Sequence, residues 1–177
     1  MTPGSDTVGI VVGNPKPRSR TREVAEAVAA AAADAVGLAD AELVVVDLAE
    51  FGPLLFDPTS ARVRSAAERI AACRLVVVAS PTYKASYTGL LKSFLDWFST
   101  TGLQGATVIP LMVGAGAQHA LAVEVHLRPV LVEIGATLPT RGLYVTEAQL
   151  VVLQDVIGDW LAEAAPGLRA CLGLGPR

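Results

Sequence analysis

The sequence predicts an α/β fold: a doubly wound, five-stranded parallel sheet with helices on both faces. Three observations lead there. Short runs rich in Val, Ile and Leu alternate with longer Ala-rich stretches of helical periodicity. One run, "RLVVVASP" (Arg74 to Pro81), is apolar at almost every position, as a central strand buried on both faces must be. Hydrophobic residues make up 52% of the chain and charged residues 18%. A chain of 177 residues with that composition can bury roughly 70% of its unfolded surface, enough for one domain over 1–177.

The first strand is Val8 to Val12, β-branched and closed by Gly13. A helix follows from Ser19 to Val36, with Gly37 as its C-cap. "AELVVVDL" (Ala41 to Leu48) is the second strand, and "FGPLLFDPTS" a loop with two prolines. Ala61 to Cys73 reads as a helix whose wet side carries Arg62, Arg64, Glu68 and Arg69. After the third strand, Arg74 to Pro81, a helix is expected from Ser86 to Phe98. Leu90, Leu91, Phe94, Leu95 and Phe98 recur on its sheet-facing side. Ala106 to Gly114 is the fourth strand, Gln118 to Ile134 the fourth helix, "TLPTRGLYV" the fifth strand and Glu147 to Ala165 the last helix. Right-handed crossovers leave few arrangements for five such units, and the flavodoxin-like order 2-1-3-4-5 is the expected one. Ligands of such sheets sit at the carboxyl ends of the strands, where the strand order reverses.

A net charge of −3 argues against nucleic acid or an anionic membrane as the main partner. Cys73 and Cys171 form no CxxC pattern and read as buried structural thiols. The N-terminus lacks a basic segment before its apolar run, and no stretch approaches the ~20 apolar residues of a membrane span. A soluble cytoplasmic protein is expected.

Three loops at the strand ends carry more chemistry than connections need. "GNPKPRSRT" (Gly13 to Thr21) sets hydroxyls of Ser19 and Thr21 beside the free N–H groups of a helix N-terminus, with Lys16, Arg18 and Arg20 adding charge. That combination suits a phosphate. Read alone, it is equally an N-cap with solvated basic residues. Neither GxxxxGK[ST] nor GxGxxG follows the first strand, so a mononucleotide such as FMN is favoured over ATP or a dinucleotide. The second loop, Pro81 to Ser86, offers Tyr83 as a flat face and Lys84 as a cation; read alone, Tyr83 more simply covers the sheet end and Lys84 is solvated. Ser86 is a candidate helix cap, and the backbone N–H groups of Tyr83 to Ala85 could meet a heteroaromatic edge. The third, "VGAGAQHA" (Val113 to Ala120), uses Gly114 and Gly116 to bring backbone close to a ligand.

These residues give a resemblance to the NAD(P)H-dependent FMN reductases of flavodoxin-like fold. The family's phosphate loop, G-S-x-R-x-x-S-x-[NST], is met by Gly13, Asn14, Lys16, Ser19 and Thr21. Its second motif, P-x-Y-x-x-S-x-x-G-x-L-K-x-x-L/I-D, is met by Pro81, Tyr83, Ser86, Gly89, Leu91, Lys92, Leu95 and Asp96, and its glycine-rich third loop by Gly114 and Gly116. The "PxYKAS" form and the "HxLAV…LRPVL" fourth helix look most like the two-component reductases that supply reduced flavin to sulfonate monooxygenases.

The resemblance implies hydride transfer from NADPH or NADH to FMN. Asn14, Lys16, Ser19, Arg20 and Thr21 would hold the phosphate. Pro81, Thr82, Tyr83, Lys84 and Ser86 would meet the isoalloxazine, and Gly114, Ala115 and Gly116 would line its other side. Asn14 stands for the family's Ser and Lys16 for its Arg; a lysine has no bidentate fork, so weaker phosphate binding and a releasable flavin are expected. The implied partners are free flavin, NAD(P)H and a flavin-dependent monooxygenase. A reductase with tightly bound FMN acting on quinones, azo compounds or chromate, and a flavodoxin-type electron carrier, are the alternatives.

Pro129 sits inside the fourth helical pattern and predicts a kink or π-bulge near Val123 to Leu127. In the resembling branch a π-helix here lies at a subunit interface and accompanies flavin exchange, which makes His126 and Pro129 the interface candidates. His119 and His126 are seven apart, the wrong spacing for a helical metal pair, and no metal site is expected. The apolar loop Phe51 to Asp57 either folds back on its own sheet or is covered by another subunit, and the second, in a homodimer or homotetramer, is the expectation.

Overall fold

A computed structural model describes residues 7–175. Its strands are β1 (Thr7–Val12), β2 (Glu42–Asp47), β3 (Leu75–Pro81), β4 (Thr107–Gly114) and β5 (Leu143–Thr146); its α-helices are α1 (Arg20–Val36), α2 (Ala61–Ala71), α3 (Gly89–Leu95), α4 (Arg128–Glu133) and α5 (Leu153–Cys171). The strands form one parallel sheet in the order β2-β1-β3-β4-β5, the arrangement expected from sequence.

All seven residues of β3 are buried, and its side chains alternate. Leu75, Val77 and Ala79 pack under α1 and α5, while Val76 and Val78 join the core under α2, α3 and α4. Each fully buried valine there contributes roughly 1.5–3 kcal/mol relative to an exposed one. On the second face Leu91, Phe94 and Leu95 are buried, and the Phe94 and Phe98 rings meet edge to face with centroids 5.5 Å apart.

Three helices differ from expectation. α3 begins at Gly89 and is capped by Thr88, not Ser86; the Thr88 side chain accepts the Leu91 N–H at 3.1 Å. The fourth helical segment is divided into a 3₁₀ turn (Ala117–His119), a π turn (Val123–Leu127) and α4. The π turn falls where Pro129 withholds the N–H that the Val125 carbonyl would take. Finally, residues 147–152 are 3₁₀, and α5 continues past Ala165 through Pro166 to Cys171. Pro166 is exposed, as is Ala162, so the carbonyl it leaves unbonded faces water. Arg169 ties the far end down by donating to the carbonyls of Val36 and Gly175.

Cys171 is exposed rather than buried, because it ends α5 on the outward side; Cys73 is buried, and burial pushes its thiol above the ordinary range. The Phe51–Asp57 loop divides in the same manner. It coils into 3₁₀ turns that bury Phe51 and Leu55 and leave Leu54 and Phe56 exposed.

The π turn is clamped to the approach to β5. Glu124 accepts from the Arg128 guanidinium and from the Gly142 N–H, and Arg128 donates to the carbonyls of Leu138 and Thr140. Burial pushes the Glu124 carboxyl upward, but the Arg128 and Gly142 hydrogen bonds and the fields of Arg128 and Arg141 outweigh it, so its pKa lies below the ordinary 4.5. A carboxyl depressed in the folded state stabilises the fold above its unfolded pKa and loses that contribution as pH falls through the folded value. Glu124→Gln is therefore expected to destabilise the protein at neutral pH by about 1–2 kcal/mol, or about 3–6 °C in Tm. The gap to the parent should close as pH is lowered below 4.5, which thermal melts across that range would check.

Candidate functional site

The loops after β1, β3 and β4 meet at one end of the sheet because register aligns the strand ends: Val12 lies opposite Ala79, and Pro81 opposite Val113. Thr88 and Ser80 join them. The Gly13 N–H donates to the Ala79 carbonyl at 2.7 Å, and the Thr88 hydroxyl donates to the Gly13 carbonyl at 2.6 Å. Ser80 Oγ accepts the Thr88 N–H and donates to the Pro81 carbonyl. Gly13 must be small here, since a Cβ would stand 2.7 Å from that of Leu91.

Between the loops lies a cavity of about 590 Å³, within the range of small-molecule sites. From the first loop it is lined by Asn14, Lys16, Pro17, Arg18, Ser19, Arg20 and Thr21. Pro81, Thr82 and Tyr83 line it from the second, and Val113, Gly114 and Ala115 from the third. Ten of the thirteen residues that the resemblance gives to the flavin therefore share one space.

The phosphate-loop side is built from backbone. Arg18 takes a left-handed φ of 50°, unusual for a residue with a Cβ and a mark of strain held at a functional turn. The chain then enters α1, whose N-cap Ser19 accepts the Arg22 N–H at 3.3 Å. The amides of Arg18, Ser19, Arg20 and Thr21 have no partner among the described residues. Thr21 Oγ1 accepts from Asn14 Nδ2 at 3.0 Å, and Asn14 Oδ1 accepts the Lys16 N–H at 2.9 Å. Both hydroxyls thus act as acceptors inward and keep a proton to donate outward. Free amides, two hydroxyl donors, the positive end of a 17-residue helix and three cations fit a phosphate.

Arg22 is not part of that set. It pairs with Glu26 at 2.8 Å and with the buried Asp47 carboxylate at 3.3 Å. Its bond to Glu26, with that to Asp47 behind it, raises its pKa further. The pairing anchors α1 to the end of β2.

In the second loop Tyr83 and Ser86 exchange backbone hydrogen bonds around a tight turn, with Lys84 and Ala85 at φ 50° and 67°, the left-handed pair of a type I′ turn. The expectation for this loop is corrected at two points: the Tyr83 N–H is taken by Ser86, and Ser86 closes the turn instead of capping a helix. Lys84 is an exposed turn residue beside the cavity lining. The Lys84 and Ala85 amides have no partner among the described residues. Tyr83 is 46% exposed, its ring open to a planar ligand. Thr82 lines the cavity, and its Oγ1 is buried with no hydrogen-bond partner among the described residues.

In the third loop Gly114 is dictated by space. A Cβ there would lie 1.9 Å from Tyr144 Oη and 3.1 Å from Thr82 Oγ1. Gly116 does not line the cavity; its carbonyl accepts the Tyr144 hydroxyl at 3.0 Å, which pulls the turn back against β5. His126 and Pro129 are exposed and outside the cavity lining.

Sequence reasoning missed Glu147, which lines the cavity and bonds Arg20 at 3.1 Å. Its position one residue past a strand end was the available signal. Tyr144 and Thr88 were missed too, since both act through contacts distant in sequence.

Residues 7–149 match the model of the NADPH-dependent FMN reductase family. An FMN reductase (NADPH) of Escherichia coli (strain K12) is 40% identical over 76 residues, 43% of this chain and 40% of that protein. An FMN reductase (NADPH) of Pseudomonas aeruginosa is 30% identical over 150 residues, 84% of this chain and 80% of that one. Among solved structures, the apo form of an NADH:FMN oxidoreductase (EMOB) superposes with a TM-score of 0.81 at 28% identity, covering 98% of this chain and 92% of that chain. The match to the Escherichia coli relative spans less than half of that protein's length, at 40%.

Proposed function

The chain belongs to the NADPH-dependent FMN reductase family, and on that premise we propose that it transfers a hydride from NADPH or NADH to FMN, taken up and released as a substrate. The observation that carries this reading is the convergence on one cavity of partnerless N–H groups and two hydroxyls at the start of α1 with Pro81, Thr82, Tyr83 and Gly114. Flavin and nicotinamide supply the redox chemistry when bound. The protein's work is positional. Ser19, Arg20 and Thr21 grip the phosphate with Lys16 assisting, Asn14 holds the Thr21 hydroxyl in place, and the Lys84 and Ala85 amides are donors for the polar edge of the ring system. Pro81, Thr82 and Tyr83 shape one wall, with Ser86 closing the turn that holds Tyr83; Gly114 and Ala115 form another, steadied by Gly116.

The decisive experiment is NAD(P)H oxidation by purified protein, first checked for bound flavin, with and without added FMN. Oxidation that requires free FMN supports the proposal. Protein that stays yellow through dialysis, with rates indifferent to added FMN, replaces it with a reductase of tightly held flavin. Tight FMN binding with no NAD(P)H oxidation replaces it with an electron carrier.

A partner monooxygenase that accepts the reduced flavin is part of the proposal, supported by the fourth-helix resemblance and its π turn. So are a cytoplasmic location and one domain over 1–177; no described helix is long and apolar enough to cross a membrane. A homodimer or homotetramer is supported by Leu121, just before the π turn, Val125 within it and Val132 in α4, which are 73%, 58% and 56% exposed in the segment that carries His126 and Pro129. Sedimentation as a monomer at working concentration rejects the oligomer.

A further inference from the structure

We propose that Glu147 sets the strength of FMN binding by competing for Arg20, and so keeps the flavin exchangeable. The inference rests on the phosphate reading of the cavity. Glu147 opens the 3₁₀ segment directly after β5. Its backbone is fixed by Thr146, whose N–H and hydroxyl both donate to Gln149 Oε1 at 2.9 Å. From there the carboxylate reaches the cavity wall and takes Arg20 Nη2 at 3.1 Å. Among the described lining residues it is the only carboxylate; the other charged ones are Lys16, Arg18 and Arg20.

A phosphate bound at the start of α1 must draw on the same guanidinium, and it brings a charge of the same sign as Glu147. The side chains of the pair are 60% and 45% exposed, so its strength is that of a surface pair, worth up to about fivefold in an equilibrium. Such a pair weakens the bound state without blocking it. For a flavin that must leave, that is a useful setting, because affinity differences in related complexes are mostly differences in release rate.

The test is equilibrium titration of FMN and riboflavin against the parent chain, Glu147→Gln, Arg20→Gln and the double variant. Glu147→Gln is expected to lower the Kd for FMN about three- to fivefold at low salt and to leave riboflavin, which lacks the phosphate, unchanged. The gain should shrink at high salt, where exposed charges are screened, and vanish in the Arg20→Gln background. An FMN Kd that stays the same or rises in Glu147→Gln overturns the inference, and a rise would make Glu147 a support for Arg20. Equal changes for FMN and riboflavin overturn it as well. If Ser19→Ala/Thr21→Ala weakens FMN while Glu147→Gln has no effect, only this inference falls. If neither change affects FMN, the phosphate reading falls with it.

Discussion

Removing the hydroxyls of Ser19 and Thr21 together is expected to weaken FMN binding about a hundredfold while moving riboflavin by no more than about twofold; each lost hydrogen bond to a charged group is worth about 1.5–3 kcal/mol. The lower end of that range applies, because the neighbouring amides of residues 18–21 remain to hold the ligand. A cost in stability comes with the change. Ser19 is the N-cap of α1, and its replacement by Ala costs about 1 kcal/mol; Thr21 is buried and releases Asn14 Nδ2. The measured contrast between the two flavins separates these effects, since a general loosening of the loop acts on both. Equal losses for FMN and riboflavin would reject the phosphate assignment.

Replacing Gly114 by Ala should produce the second-largest effect. The new methyl would stand 1.9 Å from Tyr144 Oη and 2.9 Å from Cζ, and the ring has to move. Overpacking of this kind costs about 1–3 kcal/mol, or about 3–10 °C in Tm at this chain length. The hydroxyl that leaves also abandons the Gly116 carbonyl. Adding Tyr144→Phe to Gly114→Ala removes the atom in closest conflict and should restore part of the loss. An unchanged Tm in the single variant would mean that the ring swings aside freely and the wall is not rigid.

Some of this was legible in the chain. Continuous apolarity at 75–81 marks a strand buried on both faces, Gly37 ends α1 with φ 86° as a C-cap should, and Pro129 announces the π turn. All three are local signals, settled by a residue's own conformational limits or by neighbours a turn away. Alternation of strands and helices, with the handedness of crossovers, then narrowed the topology to a few arrangements, of which the structure has the expected β2-β1-β3-β4-β5, with the three loops at one end.

What only the tertiary structure decided is which groups remain available once the loops meet. Ser86 could cap a helix by sequence, yet pairing with Tyr83 takes it into a turn, and Thr88 caps instead while bonding Gly13, 75 residues away in sequence. Glu147 and Tyr144 reach the site from β5 through contacts that no local pattern encodes. The division follows from physics. Backbone torsions and side-chain periodicity are properties of adjacent residues, whereas a free donor, a shared cation or a wall with no room for a methyl exists only when distant segments compete for the same space.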